Sequence, residues 1–322
     1  MKVVITGATG FIGRALVNYL VNNGISVVVI VRKNSVNFPS KVEQVAVSDL
    51  RAVLTYTQEN IKVALQDADV VIHLAARAHV MKEVPKTALT EFSKDNRDVS
   101  IALAKMATVA GVKRFIFLSS IGVNGNNNAS PFTEIDESNP QELYAISKCE
   151  AEQYLLALGQ NTKMEIVIIR PPLVYGPNPP GNFASLIKWV NKGIPLPFGA
   201  IHNQRSFIAL DNLVSFIAHC VTHPKAANEI FLISDGEDVS TTELLRKVAH
   251  AFGKKRLLIP IPVSWMNFVA TSLGKLDVAN RLFGSLQVNS SKARDLLGWK
   301  PVITMDEQLK KTADAYLNEK NL

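Results

Sequence analysis

The chain has 322 residues, 47% hydrophobic and 20% charged, an ordinary globular composition with room for a large core or two lobes. It has no apolar run of the roughly eighteen residues that a spanning helix needs, and its two cysteines, Cys149 and Cys220, exclude a disulfide framework. A net charge of +7 suits phosphorylated ligands, nucleic acid or anionic lipid, or serves solubility alone. No zinc-ligand spacing and no helix-turn-helix or RNA-binding signature is present, so neither metal nor nucleic acid is expected. The first residues enter a strand and reach Gly7 at once, which argues against a secretory leader and for the cytoplasm.

Residues 3–6 read as a strand and 12–22 as a helix with apolar residues at helical spacing, capped by Gly24. Residues 27–31 are a continuous β-branched run, as in a parallel strand covered on both faces. Strands are expected at 45–47, 70–75 and 115–119, with a helix over 96–110 ended by Gly111. A helix over 144–158 precedes a strand at 165–170. This alternation predicts an α/β fold, a doubly wound parallel sheet of the Rossmann kind, in a dinucleotide-binding domain of residues 1–170. Beyond Arg170 the prolines cluster, at Pro171, Pro172, Pro177, Pro179, Pro180, Pro195 and Pro197. Residues 171–322 are therefore expected to form a smaller, loop-rich substrate lobe. A strand at 230–233 would rejoin the sheet, so the lobes interleave and residues 205–235 contribute to the first domain.

Gly7, Ala8, Thr9, Gly10, Phe11, Ile12 and Gly13 give the spacing G-x-x-G-x-x-G between a strand and a helix. Such glycines let the backbone approach a pyrophosphate, which the helix N-terminus then faces with free N–H groups. An acid ending the second strand would hold the ribose 2′-hydroxyl of NAD. Val31, Arg32 and Lys33 stand there instead. Arg32 suits a 2′-phosphate, which favours NADP over NAD; the alternative is a solvated loop cation. Asp49 and Leu50 are candidate adenine contacts. Leu74, Ala75 and Ala76 end the fourth strand where a cofactor passes close, and His73 reads as a packed strand residue.

Tyr144 and Lys148 stand four apart, on one face of the expected helix. A nearby ammonium and a nicotinium charge would lower the phenol from its ordinary pKa of about 10. Tyr144 would then exchange a proton with a substrate hydroxyl, and Lys148 would hydrogen-bond the nicotinamide ribose. Ser120, ending the fifth strand, would donate to the same oxygen.

Taken together, these motifs resemble the extended short-chain dehydrogenases/reductases, the NAD-dependent epimerase/dehydratase family that includes UDP-galactose 4-epimerases. The resemblance runs over nearly the whole chain. It includes Gly7 to Gly13, Asp49-Leu50, Leu74-Ala75-Ala76, Asn96, Ser119-Ser120, Tyr144 with Lys148, Arg170-Pro171 and Tyr175-Gly176-Pro177. It continues through Arg205-Ser206-Phe207 and Asp211-Asn212-Leu213 to Leu296-Leu297-Gly298-Trp299. It implies catalytic roles for Ser120, Tyr144 and Lys148, a cofactor contact at Pro171, and a helix-placing role for Asn96. Arg205 would contact a substrate diphosphate, as would Arg281. Departures stand at Asn124, where many relatives have tyrosine, and at Leu173, where many have an asparagine that touches the diphosphate. Asn124 and Asn182 are accordingly candidate substrate contacts.

The family's dehydratases carry acid or amide groups straight after the catalytic hydroxyl, whereas Ile121 and Gly122 follow Ser120 here. Two readings remain, a sugar-nucleotide 4-epimerase and a 4-keto-reductase, as in the bacterial surface-polysaccharide subgroup that residues 121–125 and 195–199 resemble. A dihydroflavonol- or steroid-type ketone reductase and a non-catalytic NADP-binding protein are the alternatives. The substrate would be a UDP-linked sugar or a polyprenyl-diphosphate sugar. The resemblance implies a homodimer paired through two helices. Ile101, Leu103, Ala104 and Ala107 would line one, and Ala151, Tyr154, Leu155 and Leu158 the other. Residues 261–284, with Trp265, Met266, Phe268, Val269, Leu273 and Leu276, follow Lys254, Lys255 and Arg256. That composition suits a helix at a membrane surface, although packing on the lobe's own core is the expectation.

Overall fold

The computed structural model describes residues 1–32, 37–55, 59–77, 85–255, 258–274 and 276–320. Lys33, Arg256 and the side chain of Leu276 lie outside the described residues. The chain opens with β1 (Lys2–Thr6), α1 (Phe11–Asn22), β2 (Ser26–Val31) and β3 (Glu43–Ala46). A 3-10 turn, Leu50–Thr55, leads to α2 (Glu59–Leu65) and β4 (Val70–His73). Next, α3 (Pro85–Phe92) runs through a π-helical turn, Ser93–Asp98, into α4 (Val99–Val109). β5 (Arg114–Leu118), α5 (Leu143–Asn161) and β6 (Glu165–Arg170) follow. The remainder is β7 (Leu173–Tyr175), α6 (Gly181–Asn191), β8 (Arg205–Ala209), α7 (Leu210–Thr222), β9 (Glu229–Leu232), β10 (Asp238–Val239), α8 (Thr241–Ala251), α9 (Val263–Ser272), α10 (Leu276–Phe283), α11 (Ser291–Leu297) and α12 (Met305–Lys320).

Seven strands form one parallel sheet in the order β3-β2-β1-β4-β5-β6-β9. The apolar run of β2 is buried on both faces because helices cover both. One face packs Leu16, Val17 and Leu20 of α1 with Phe216 of α7. The other packs Ile61, Leu103, Ala107 and Leu155 of α2, α4 and α5. Strand order reverses between β1 and β4, and a doubly wound sheet opens a ligand crevice at such a reversal. Gly24 ends the α1 turn at φ +74°, with the Ile25 N–H donating to Leu20 O over 3.0 Å.

The structure departs from the sequence reading in three places. The third strand is Glu43–Ala46 and the fourth stops at His73. Leu74 N–H still donates to Thr6 O, after which the chain leaves the sheet to line the crevice. The proline-rich region holds a second sheet, β10-β8-β7, whose strands of two to five residues are too short for a periodic signal. Its core gathers Tyr175, Phe207, Leu244, Leu245, Val248 and Leu309. Finally, Ala293 and Leu297 of α11, with Trp299, belong to the same core as β1 and α1 rather than to the smaller sheet.

A buried ion pair locks the end of β6 to α5. The Arg170 guanidinium donates to both Glu152 oxygens, at 3.1 Å from Nε and 2.5 Å from Nη2. Its Nη1 donates to Asn124 Oδ1 at 2.9 Å. Such a pair, once formed, is costly to break because either partner alone is a stranded charge.

Candidate active site

A cavity of about 510 Å³ lies at the β1/β4 reversal, within the usual size range of small-molecule sites. Of the cofactor contacts read from the sequence, Gly7, Thr9, Gly10, Arg32, Asp49, Leu50, Leu74, Ala75 and Ala76 line it. The glycines are required by close approach. Gly7 has φ +75°, and a Cβ there would sit 2.6 Å from Ala75 N. A Cβ on Gly13 would fall 2.2 Å from Gly7 O. Gly10 is the N-cap of α1, whose first turn carries neither an acid nor a side-chain cap. Its unspent amides therefore suit a pyrophosphate, and the cradle as a whole fits a dinucleotide. Phe11 and Ile12 begin α1 and pack against the core beside this turn. Pro171 is buried, and its carbonyl accepts from Ile121 N–H at 3.0 Å.

Four charged residues near the cavity carry no spacing signal in the sequence. Arg51 donates to both oxygens of Asp95 and to Glu91, and Arg77 Nη1 donates to Asp95 at 3.2 Å. Burial raises the Asp95 carboxyl, but the two guanidiniums outweigh it and hold the group below the ordinary carboxylate range. Arg51, Arg77 and Asp95 all line the cavity.

Asn96, in the π-helical turn, is fully buried and uses both ends of its carboxamide. Oδ1 accepts from Arg77 N–H at 2.8 Å, while Nδ2 donates to Arg77 O at 3.1 Å and to Ser147 Oγ at 3.0 Å. Ser147 Oγ in turn donates to Tyr144 O at 2.7 Å. The cavity floor is thus tied to the turn of α5 that carries Tyr144 and Lys148. Lys148 is fully buried; its Nζ donates to Leu118 O at 2.8 Å and stands 4.2 Å from the Phe117 ring centroid and 5.9 Å from that of Tyr144. Ser120 caps a 3-10 turn, Ile121–Val123, by accepting from Gly122 N–H at 3.1 Å. Gly122 lies against Ala145, the neighbour of Tyr144, because a Cβ on it would come 3.2 Å from Ala145 Cβ. Ser120, Tyr144 and Lys148 are therefore gathered where β5 meets α5.

His73 is a packed residue, fully buried, whose ring nitrogens meet Thr6 Oγ1 at 2.6 Å and Ser100 Oγ at 2.9 Å. Ser100 spends its proton on Asn96 O, so His73 carries its own on Nε2. Burial, with the Lys148 charge beside it, pushes the imidazole down to about 3 and keeps it neutral.

The expected lowering of Tyr144 is reversed in the chain itself. Burial of the hydroxyl raises the phenol to about 12, although the ring keeps some solvent contact. Lys148 does not offset this, because burial also discourages its charge and lowers it to about 7.

The substrate candidates scatter more widely. Asn124 is 1% exposed, and its carboxamide is taken by Arg170 and by Thr133 O, so the structure does not bring it to the cavity. Asn182 is exposed in the first turn of α6. Arg205, at the start of β8, donates to Gly284 O at 2.9 Å. Arg281 of α10 donates to Glu142, the N-cap of α5, at 2.8 Å, which holds it close to the Tyr144 end of that helix.

The model of the NAD dependent epimerase/dehydratase family matches residues 3–234. The chain is 43% identical to a UDP-glucose 4-epimerase of Vibrio cholerae, over 99% of this chain and 97% of that one. It is 28% identical to the N-acetyl-alpha-D-glucosaminyl-diphospho-ditrans,octacis-undecaprenol 4-epimerase of Escherichia coli O157:H7, over 82% of this chain and 77% of that one. Its fold matches the crystal structure of a UDP-glucuronic acid 4-epimerase from Bacillus cereus in complex with NAD. That match has a TM-score of 0.80 at 23% identity and covers 99% of both chains.

The buried Lys148 has a thermodynamic signature. Its ordinary pKa is 10.5, and in the folded chain it is about 7. Between those values the unfolded chain holds a proton that the folded chain lacks, so folding stability rises with pH across that window. Below about 7 both states are protonated and the burial penalty is fully present. Unfolding free energies from urea titrations between pH 7 and pH 9.5 should therefore rise for the wild type relative to Lys148→Met, by up to ~1.4 kcal/mol per pH unit. Parallel profiles would show that Lys148 does not titrate in this range.

Proposed function

On the premise that the chain belongs to the NAD dependent epimerase/dehydratase family, we propose that it is a sugar-nucleotide 4-epimerase acting on a UDP-linked sugar. It is an enzyme of the extended short-chain dehydrogenase type. The observation that carries the reading is the gathering of Tyr144, Lys148 and Ser120 where β5 meets α5, tied through Ser147 and Asn96 to Arg77 on the cavity wall, in a chain 43% identical to a UDP-glucose 4-epimerase. Residues 1–170, with 205–235, would hold the dinucleotide, and residues 171–322 the sugar and its carrier.

The roles follow from the hydrogen bonds already made. The nicotinamide, when bound, supplies the hydride acceptor and donor and, oxidised, a positive ring charge. Tyr144 takes the proton of the sugar C4 hydroxyl and returns it to the keto oxygen. Its high pKa in the chain means that it becomes a base only beside added positive charge. Lys148 spends one donor on Leu118 O and, when protonated, has two left for ribose hydroxyls. Ser120 accepts from Gly122, which leaves its own proton to donate to the C4 oxygen. Ile121 is buried and Gly122 lies against Ala145, so no acid or amide follows Ser120 to expel water from the sugar. Arg205 and Arg281 are the proposed diphosphate ligands, Arg281 exchanging Glu142 for phosphate. A polyprenyl diphosphate presents the same group, and the relative from Escherichia coli supports that carrier as a second reading.

Incubation with UDP-glucose or UDP-N-acetylglucosamine should give the C4 epimer without added NADPH. Product that appears only from a 4-keto sugar with NADPH would make the enzyme a reductase instead. Tyr144→Phe should lose about 10²–10⁴-fold in turnover while still binding cofactor. Near wild-type turnover in that variant would remove Tyr144 from the chemistry.

NADP is the preferred cofactor in this reading. Arg32 lines the cavity at the end of β2, and Asp95, an acid nearby, is already held by Arg51 and Arg77. Arg32→Ala should weaken NADPH by tenfold or more, about 1.4 kcal/mol, and leave NADH within about twofold. Equal losses would show that Arg32 does not read the 2′-phosphate.

We also infer a cytoplasmic homodimer paired through α4 and α5. Leu103, Ala104, Ala107, Ala151 and Leu155 are consumed by the chain's own core and Leu158 packs partly against it, which leaves half-buried Ile101 and Tyr154 as the main pairing residues. The buried, free thiols of Cys149 and Cys220 suit a reducing compartment. Light scattering on protein from the cytosolic fraction should give the mass of two chains at micromolar concentration; monomer alone would refute the pairing.

A further inference from the structure

The helix α9 does not bury a single residue. It carries Trp265, Phe268 and Val269, exposed by 73%, 75% and 53%, and Leu273 follows it at 66%. These positions are spaced i, i+3, i+4 and i+8, so they share one face. Ser272 falls in the same stripe, but its hydroxyl donates to Phe268 O at 2.9 Å and adds little polarity. Ser264, Asn267 and Thr271 occupy the opposite side of the helix. Next to it, Ile259 pairs with Leu196 through its N–H, and both Ile259 and nearby Ile194 are about half exposed. An apolar groove of about 440 Å³ runs between α9, α10 and this pair of segments. α9 thus packs against α10 but contributes no residue to the lobe's buried core, and water-exposed apolar surface of this kind marks a docking surface.

The charge around the face selects the partner. Lys188, Lys192, Lys254 and Lys255 are all exposed and precede the apolar residues in both contributing segments. Residues 181–200 and 250–274 contain no aspartate or glutamate. An acid-free apolar stripe flanked by lysines complements a surface that is apolar beneath and anionic above. Among the described residues, no helix is long and apolar enough to cross a membrane, so the element would lie on a bilayer and not through it.

We propose that the α9 face, with the exposed lysines that precede its apolar segments in the chain, docks the enzyme onto the surface of an anionic phospholipid bilayer. The side chains of Trp265, Phe268, Val269 and Leu273 enter the headgroup boundary, and Lys254, Lys255, Lys188 and Lys192 meet lipid phosphates. This docking stands on the surface and not on the catalytic reading. It brings the enzyme to the bilayer whichever carrier the sugar has.

The test is co-sedimentation of the full chain with phosphatidylcholine vesicles with and without ~30% phosphatidylglycerol, at ~0.05 M and ~0.5 M salt. The protein should pellet with the anionic vesicles at low salt, bind pure phosphatidylcholine far less, and be released by high salt. A double variant, Trp265→Ser with Phe268→Ser, should lose binding about tenfold or more. Lys254→Gln with Lys255→Gln should lose it by about tenfold on the anionic vesicles, at a few-fold per lysine. Both variants should turn over a soluble UDP-sugar like the wild type, so a failure of turnover in every protein would count against the proposed chemistry and not against docking. A wild type that stays in the supernatant at low salt overturns the proposal. So do apolar variants that pellet as the wild type does. If those variants instead change the mass of the particle in light scattering, the face is covered by a second copy and not by lipid.

Discussion

Asn96 is the residue on which the site's geometry rests. Its carboxamide closes a two-way bond with the Arg77 backbone and reaches Ser147, and its carbonyl accepts from Ser100. From Ser100 the chain of bonds continues through His73 to Thr6. One continuous set of buried polar groups therefore joins β1, β4, the start of α4 and the first turn of α5. A buried network of this kind is stable only when every member is satisfied. The π-helical turn is what makes this possible. It spans Asp95, which lines the crevice, and Asn96, which is buried behind it, and such turns recur at functional sites.

The cavity inherits its electrostatics from the same region. Arg51 and Arg77 converge on Asp95, the residue before Asn96. Their charges are largely balanced before any ligand arrives, whereas Arg32, which follows β2 and lines the same cavity, is exposed. The crevice is thus polar along one side and uncapped helix along the other, with the apolar floor of Leu74, Ala75 and Ala76 between them. Deeper in, burial sets the terms. Tyr144 keeps its proton and Lys148 sits near the point of losing its own, because a charge on either has little water to stabilise it.

Much of this was legible in the sequence, for definite physical reasons. A parallel strand buried on both faces must be apolar throughout, so β2 and β6 announce themselves. Glycines forced by backbone contact leave a spacing, and Gly7 and Gly13 did so. Tyr144 and Lys148 are one helical turn apart, which sequence distance reports directly. What escaped was held by long-range pairing. Arg51 and Asp95 are linked across 44 positions, and neither belongs to a periodic pattern. Asn124 looked free for a ligand because nothing in its neighbours reveals Arg170, 46 residues on. The small sheet escaped because β7 and β10 are shorter than one period of alternation can establish. The outward face of α9 escaped because apolar spacing shows which residues share a face but not whether anything covers it.

The placement of α11 carries a consequence for synthesis. Trp299 stacks edge-on against Phe216 at 5.1 Å and donates to Ser215, while His219 meets Leu297 O at 3.0 Å. This part of the large sheet's core is completed by residues made some eighty positions after α7. A nascent chain that has just finished β9 has all seven strands of the parallel sheet and the Phe231 side of Phe216, yet lacks the Trp299 ring that covers its other contact. The emerging sheet thus keeps an apolar gap on one flank until Ala293, Leu297 and Trp299 have been made. Domains generally fold as units as they emerge, and transiently exposed apolar surface is what chaperones bind. For this chain that interval is written into its topology.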